Sequence, residues 1–312
     1  MNIQQLQYAV AIDRYKSFSK AAEACFITQA TLSTMIKKLE AELNIIIFDR
    51  KTNPVITTEC GKEIVKEAQK ALLHIEQMKN KATESKGHIL GEINLGIIPT
   101  IAGNLLHRII PSLLEKYPRL KLNIQENTTN HIIQKLRNGE LDAGVVSTPL
   151  NEKDLEEKIL YYEKLMVYGL TVKKTKLFKT PKDIPKENIW LLEQDNCLTD
   201  QVINFCSLNS KKMNSNLSFQ PNSFESLLNI VDQMKGLTLI PELYYHDLCI
   251  EKKQNVRDFM KPFPVREISI IYYRPYAKLR LIEALSEQIN ANISPLLQSS
   301  KLKNSDMLIA NF

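Results

Sequence analysis

The spacing of apolar residues changes at about residue 91, and this change constrains the fold more than any other feature of the sequence. Before it, apolar side chains recur every three or four residues, as they do along one face of an amphipathic helix. After it, short Ile- and Val-rich segments alternate with helical ones, which is typical of an α/β domain. A chain of 312 residues with two such patterns is expected to form two domains.

A long, uninterrupted helical pattern precedes the change. From Gly61 to Lys86 the sequence contains no proline and no internal glycine. At 1.5 Å per residue this segment would extend about 39 Å, which is longer than a connection inside a domain requires. We therefore predict a linker or dimerisation helix at 61–88, an α/β domain at 89–300 and a polar tail at 301–312.

The first 60 residues have the pattern of a winged helix-turn-helix. After a first helix, a short helix is expected from Ser19 to about Cys25, with Ser19 as its N-cap, and Thr28 then caps a longer helix. A loosely alternating stretch follows and contains the turn signal Asn53-Pro54, which predicts a small β-hairpin, or wing. In this motif the longer helix lies in the DNA major groove. A helical hairpin with a solvated polar face is the alternative that the pattern alone leaves open.

Side chains suited to DNA contact lie along the longer helix and in the wing. Glutamine, serine and threonine hydrogen-bond to base edges, whereas lysine and arginine bind phosphates and supply affinity without sequence information. The net charge of +6 is compatible with a nucleic acid partner. The predicted base contacts are Gln29, Thr31, Ser33 and Thr34, and the predicted phosphate contacts are Lys37, Lys38, Arg50 and Lys51.

The same segment is similar to a known family. Residues 17–50 resemble the winged helix-turn-helix of LysR-type transcription regulators, at positions that include Ala21, Ala22, Gln29, Leu32, Ser33, Ile36, Leu39 and Gly61 just beyond the segment. The resemblance extends over the whole chain. It implies an N-terminal all-α winged helix-turn-helix at 1–60, a linker helix, and a C-terminal α/β sensor domain of two lobes, like a periplasmic binding protein.

The resemblance also implies boundaries and partners. Lobe I would comprise about 89–163 and 268–300, and lobe II about 164–267. The protein would form a homodimer or homotetramer through its linker helices, bind double-stranded promoter DNA of dyad symmetry, and act with RNA polymerase.

Two of the five cysteines share one predicted helix. An odd number of cysteines without a Cys-x-x-Cys pair favours neither a disulfide framework nor a zinc site, so no metal or other cofactor is expected. Along an intact helix Cys197 and Cys206 would lie roughly 13 Å apart, whereas a disulfide needs Cα atoms within about 7 Å. A disulfide between them would require the helix to unfold, as in a two-state switch. Because a helix N-terminus lowers the pKa of a thiol, we expect Cys197 to be reactive.

The segment 197–206 resembles the sensor segment of the peroxide-sensing OxyR branch of the LysR-type family. The resemblance implies that Cys197 reacts with hydrogen peroxide and that Cys206 resolves the product as a disulfide. It also implies a peroxide pocket formed by Thr100, Thr129, Asp200 and Arg274, and a role in the response to oxidative stress.

Other functions remain open from the sequence. A LysR-type regulator of a small metabolite would keep the DNA-binding domain and use both cysteines only for packing. An enzyme or a solute-binding protein is disfavoured, because no Gly-rich phosphate loop, Ser-His-Asp set or metal motif is present and a winged helix is attached. The N-terminus lacks a signal-peptide pattern and no apolar run reaches the ~18 residues of a membrane span, so a cytoplasmic protein is expected.

Overall fold

The computed structural model describes residues 1–84, 91–169, 178, 180–185, 189–193, 197–208, 219–273 and 278–309. The chain divides into two compact units, the first ending at about residue 88 and the second beginning at about residue 89. No helix among the described residues is both long enough and apolar enough to cross a membrane.

The first unit is a winged helix-turn-helix followed by a long helix. Its core is formed by buried residues that recur every three or four positions, among them Ile12, Leu32, Ile36 and Leu39. Its elements in chain order are helices α1 (Ile3–Tyr15), α2 (Phe18–Ala24) and α3 (Gln29–Leu43), antiparallel strands β1 (Phe48–Asp49) and β2 (Ile56–Thr57), and helix α4 (Glu59–Glu84).

The sequence predicts the N-cap of α3 correctly but not that of α2. Helix α3 begins as predicted, with the Thr28 hydroxyl accepting a hydrogen bond from the Thr31 amide at 3.2 Å. The prediction that Ser19 caps α2 is wrong. Ser17 is the N-cap, because its backbone is extended and its hydroxyl accepts from the Lys20 amide, while the next residue, Phe18, begins the helix.

The second unit is built on a mixed β-sheet. Its strands are β3 (Gly91–Ile97), β4 (Leu120–Glu126), β5 (Ala143–Thr148), β6 (Leu155–Tyr168), β7 (Thr238–Pro241), β8 (Val256–Arg257), β9 (Phe263–Tyr273) and β10 (Met307–Ile309). Their order is β4-β3-β5-β9-β6-β7, with β10 beside β9 and β8 beside β6. Strand β5 is parallel to β3 and antiparallel to β9, so the pairing in the sheet changes from parallel to antiparallel at this strand.

Helices flank this sheet. They are α5 (Pro99–Lys116), α6 (Thr129–Arg137), α7 (Cys197–Cys206), α8 (Phe224–Met234), α9 (Glu242–Asp247), α10 (Ile250–Lys253) and α11 (Leu279–Ile293). Helix α7 contributes Leu198, Val202 and Cys206 to a buried core that also contains Leu165 and Leu228. These three positions recur every four residues and therefore lie on one face of α7.

Three segments are shaped by pairing with distant strands. Of the described residues 189–193, only Ile189 joins a strand partner, through an isolated bridge to Leu237. Strand β6 begins ten residues before the apolar run at Leu165, because β9 offers it a long antiparallel partner. Within the segment 301–312, which is predicted as a polar tail, β10 pairs with β9 in parallel, because its three apolar residues extend the sheet.

Candidate functional site

Cys197 is the first residue of α7 and lies at a small cleft. The cleft has a volume of about 80 Å³ and is lined by Ile98, Pro99, Thr128, Thr129, Glu193, Cys197 and Asn222. The Cys197 side chain is buried, with 8% of its surface exposed. Since about 10–15 Å³ of such cavity space is enough to hold one water molecule, the cleft has room for a molecule as small as hydrogen peroxide.

Three helix N-termini converge on this cleft. Pro99, Thr129 and Cys197 are the first residues of α5, α6 and α7, and all three line it. A helix N-terminus carries a partial positive charge and unpaired N–H groups, so it favours a nearby anion. The cleft is therefore suited to a thiolate and to a small anion released beside it.

The Thr129 hydroxyl is an unsatisfied polar group in this cleft. Its oxygen is buried and makes no hydrogen bond of ordinary geometry with any described residue. A hydrogen bond with the Cys197 thiol that lies outside this geometry nevertheless lowers the pKa of Cys197. A buried hydroxyl without a partner costs free energy, so it is available to a ligand that enters the cleft.

Arg266 is the cation of this site. It lies on β9 with 1% of its surface exposed, and its Nε donates a hydrogen bond to Oε1 of Glu163 at 2.7 Å. Its Nη1 donates to Oγ1 of Thr100 at 3.3 Å and its Nη2 to the Thr100 carbonyl at 3.1 Å. The positive charge of Arg266 lowers the pKa of Cys197, while the same side chain fixes Thr100 at the start of α5.

Burial nevertheless dominates the ionisation of Cys197. Desolvation raises the pKa of this thiol, and the charge of Asp200 raises it further. Arg266, the Thr129 hydroxyl and the Leu198 amide act in the opposite direction without reversing the outcome. The expectation of a lowered pKa is therefore wrong, because removal from water outweighs the helix N-terminus.

A second buried polar side chain anchors the same face of α7. Gln201, one turn after Cys197, has no exposed surface, and its Nε2 donates to the Ser147 hydroxyl at 2.9 Å. Ser147, on β5, in turn donates to the Glu267 carbonyl. The Gln201 Oε1 is buried and has no hydrogen-bond partner among the described residues.

Cys206 lies at the other end of α7 and on the opposite face. A residue nine positions later is rotated by about 180° and displaced by roughly 13 Å along the axis. Cys206 is fully buried in the core with Leu198 and Val202, and both cysteines are thiols in this structure. The intact helix therefore keeps the two sulfurs apart, as the spacing predicts.

The structure brings together only part of the predicted peroxide pocket. Cys197 and Thr129 line the cleft, and Thr100 is joined to the site through Arg266. Asp200 is exposed, and its charge raises the pKa of Cys197 and so disfavours the thiolate. Its place in the peroxide pocket stays a prediction. Arg274 lies outside the described residues.

Arg266 and Gln201 were not predicted as site residues from the sequence. Arg266 and Glu267 interrupt the apolar strand pattern of residues 263–273, and a charge inside such a pattern is rare unless it is paired. That signal points to a buried ion pair. It does not indicate which helix the arginine faces.

The predicted base-contacting residues lie on α3. Gln29, Thr31 and Thr34 are exposed, and Ser33 is half-buried. The Ser19 hydroxyl donates to Oε1 of Gln29 at 2.9 Å, which orients the glutamine amide at the start of the helix. The lysines of the predicted phosphate set, Lys37, Lys38 and Lys51, are all exposed.

Arg50, in the wing, is bound to side chains of α3. Its Nη2 donates to Oε2 of Glu40 at 2.6 Å and its Nη1 to the Ser33 hydroxyl at 3.2 Å. Oε1 of Glu40 accepts the amides of Ile47 and Phe48. This network holds the wing against α3, and a phosphate contact by Arg50 stays a prediction.

Comparison with known proteins identifies the family. Residues 3–62 match the bacterial regulatory helix-turn-helix protein family, lysR type, and residues 86–294 match the LysR substrate binding domain. The chain belongs to the LysR family of transcription regulators. As a LysR-family regulator it binds DNA through its winged helix-turn-helix.

Relatives of this LysR-family regulator match it over almost its whole length. It is 30% identical over 307 residues to a hydrogen peroxide-inducible genes activator of Haemophilus influenzae, covering 96% of this chain and 100% of the relative. It is 30% identical over 299 residues to the DNA-binding transcriptional dual regulator OxyR of Escherichia coli, covering 94% and 96%. A variant of full-length OxyR from Pseudomonas aeruginosa superposes with a TM-score of 0.76 at 30% identity, covering 93% of this chain and 98% of that one.

Proposed function

We propose that this LysR-family regulator senses hydrogen peroxide at Cys197 and is switched by a disulfide between Cys197 and Cys206. The observation that carries the proposal is the buried Cys197 thiol at a cleft of about 80 Å³, where three helix N-termini and Arg266 favour negative charge. Relatives at 30% identity are named as hydrogen peroxide-inducible genes activators, which supports the same signal.

The size of the cleft favours peroxide over a metabolite. Sites for small organic ligands measure about 300–1,000 Å³, several times the volume beside Cys197. Hydrogen peroxide has two heavy atoms, and each carries one proton to donate and lone pairs that accept. The hydroxyl of Thr129, which makes no hydrogen bond of ordinary geometry with a described residue, lies beside the Cys197 thiol and is placed to hydrogen-bond to it.

The first chemical step oxidises Cys197. Its thiolate sulfur attacks one oxygen of hydrogen peroxide, the O–O bond breaks, and the sulfur retains that oxygen as a sulfenic acid. The second oxygen leaves as hydroxide and takes up a proton from water. Arg266 and the helix N-termini stabilise both the thiolate and the hydroxide by their positive charge.

The second step joins the two cysteines. The thiolate of Cys206 attacks the sulfenic sulfur, a disulfide forms, and the hydroxyl group leaves as water after taking up a proton. Because α7 separates the sulfurs, the helix must unfold for this step. Unfolding breaks the Gln201–Ser147 hydrogen bond and removes Leu198 and Val202 from the core. Oxidation thereby changes the surface of the sensor domain as well as its covalent structure.

The proposed partners follow from the family and from α4. The protein forms a homodimer or homotetramer, binds double-stranded promoter DNA and acts with RNA polymerase, in the cytoplasm where that DNA lies. Leu72 and Ile75, on the apolar stripe of α4, are only half-buried within one chain, and Met78 is exposed. A second copy of α4 would cover this stripe.

The protein reacts once per reduction cycle and is not an enzyme.

Peptide mapping tests the proposal. The reduced protein is treated with one equivalent of hydrogen peroxide, alkylated without reduction and digested. We expect a linked peptide pair containing Cys197 and Cys206, with the exposed Cys60 and Cys249 alkylated. Oxidation of Cys60 or Cys249 with Cys197 left as a thiol would overturn peroxide sensing, while the LysR-family membership would stand.

A further inference from the structure

Phe26 combines two features that are rare in folded proteins, an exposed aromatic ring and a left-handed backbone. Its side chain is 95% exposed, more than any other large apolar side chain that the structure describes. Its backbone has φ of 57°, in the left-handed region that disfavours residues with a Cβ. Violations of this kind concentrate at functional sites, where something outside the fold compensates for them.

The turn explains the backbone conformation but not the aromatic ring. The Phe26 amide donates to the Glu23 carbonyl and the Ile27 amide to the Ala22 carbonyl, both at 3.0 Å. This pair of bonds is the Schellman motif that ends α2, and it requires a left-handed residue at this position. Glycine or asparagine satisfies the motif with less strain, so the fold gives no reason for phenylalanine.

The position of Phe26 indicates what its ring contacts. It lies three residues before Gln29, in the turn that leads into the recognition helix. Residues at the N-terminus of that helix face base edges, so the preceding turn lies at the edge of the major groove beside the sugar-phosphate backbone. An apolar ring at this edge is suited to deoxyribose carbons and to the methyl group of thymine.

The charge of the domain favours such a non-ionic contact. Residues 1–60 contain seven Lys and Arg side chains against six Asp and Glu. Two of the basic side chains are already in ion pairs within the domain, Lys16 with Asp13 and Arg50 with Glu40. Attraction to phosphates is therefore modest for a DNA-binding domain, and apolar contacts contribute a larger share of the affinity.

We propose that Phe26 is a DNA-contacting residue whose ring packs against deoxyribose and thymine methyl groups at the edge of the major groove. DNA is favoured over a protein partner because the exposed residues that follow, Gln29, Ala30 and Thr31, are uncharged and belong to the reading surface. The contact adds affinity and a preference for thymine at one position of each half-site.

The test uses the full-length chain and a duplex that the wild-type protein selects from a random-sequence pool. Phe26→Asn keeps the left-handed turn and removes the ring. We expect it to raise the Tm or leave it unchanged, and to weaken binding to the selected duplex about 5- to 10-fold, the range expected for a lost apolar base contact. The slope of log Kd against log salt should stay the same, because no charge is removed.

Asn44→Gly is the matched control. Asn44 also has a left-handed backbone, with φ of 52°, and is exposed at the opposite end of α3. The substitution changes a left-handed residue at the other end of the same helix without removing a ring, so it should leave DNA affinity unchanged. A loss of affinity in Asn44→Gly equal to that in Phe26→Asn would attribute the effect to the rigidity of α3 and overturn the proposal.

Replacing thymines by uracil one at a time removes single methyl groups from the duplex. One position should weaken wild-type binding while leaving Phe26→Asn unaffected, which identifies the methyl group under the ring. If Phe26→Asn binds the selected duplex as tightly as the wild type does, the proposal is wrong. A changed salt slope would equally overturn it, because the ring would then act through phosphate contacts.

Discussion

Nε of Arg266 donates a hydrogen bond to Oε1 of Glu163 at 2.7 Å, and both side chains are buried. The pair joins β9 to β6, and the remaining donors of Arg266 hold Thr100. A cation that would otherwise be costly to bury is thereby kept where its charge acts on Cys197.

Removing one partner of this ion pair should lower the free energy of unfolding more than removing both partners. Arg266→Met leaves Glu163 buried without its cation and should lower the free energy of unfolding by about 3–5 kcal/mol. The double variant Arg266→Met with Glu163→Leu removes both charges and should recover a large part of that loss. Urea denaturation measures both. Arg137→Met is the control: Arg137 is paired with Glu152 and Asp154 at the surface, so the cost should stay below about 1 kcal/mol. Equal stability of the single and double variants would contradict this account of the pair.

The reactivity of Cys197 should increase with pH without levelling off near neutrality. Burial raises the pKa of Cys197 in the folded protein above its ordinary value of 9.0. Alkylation by iodoacetamide, followed on the peptide that contains Cys197, should therefore accelerate about tenfold per pH unit below that value. The same peptide in urea should level off at a lower pH. By linkage, the stability contributed by the buried thiol is complete below the ordinary pKa and is lost as pH rises through the raised one. A plateau in the folded protein below pH 8 would show that the thiolate is stabilised overall.

The two cysteines of α7 should give different single-mutant behaviour. Cys197→Ser removes the nucleophile, so peroxide should leave DNA binding and the protection of α7 unchanged. Cys206→Ser keeps the nucleophile, so a dimedone-type reagent should trap a sulfenic acid at Cys197, with no internal disulfide and with α7 still protected in hydrogen exchange. Cys60→Ser and Cys249→Ser alter exposed thiols and should respond as the wild type does. A normal disulfide-dependent response in Cys206→Ser would exclude Cys206 as the resolving thiol.

Two substitutions on α3 should distinguish electrostatic DNA binding from sequence-specific DNA binding. Lys38 is exposed and its predicted contact is a phosphate, so Lys38→Ala should weaken binding to selected and random duplexes equally and reduce the salt slope by about 0.9. Gln29→Ala should leave the salt slope unchanged and reduce the preference for the selected duplex, at a cost of about 1–3 kcal/mol. Both are read from competition binding over a range of salt concentrations. Equal losses on both duplexes for Gln29→Ala would refute its assignment to base contact.

The linker helix should determine the oligomeric state. Leu72→Asp combined with Ile75→Asp places charges on the apolar stripe of α4 and should produce monomers by light scattering. Glu67→Lys, at an exposed position of the same helix, should leave the assembly unchanged. A wild-type protein that is monomeric at micromolar concentration would refute the role of α4.

The features that follow from the amino-acid sequence alone are local ones. Thr28 caps α3 and the period of α7 separates Cys197 from Cys206, because caps and helical rotation depend only on neighbours within a few residues. The two lobes of the sensor domain were predicted from the family resemblance and not from local patterns. The N-cap of α2 is Ser17 and not the predicted Ser19, because two serines within three residues give the same local capping signal.

The environment of Cys197, in contrast, is set by long-range packing. The sheet order brings Arg266 on β9 towards a helix start distant from it in the sequence, and packing places the first residues of α5, α6 and α7 around one cleft. Burial then raised a pKa that the helix N-terminus alone would lower. Desolvation and charge interactions depend on which elements pack together, and the local sequence around Cys197 carries no record of that packing.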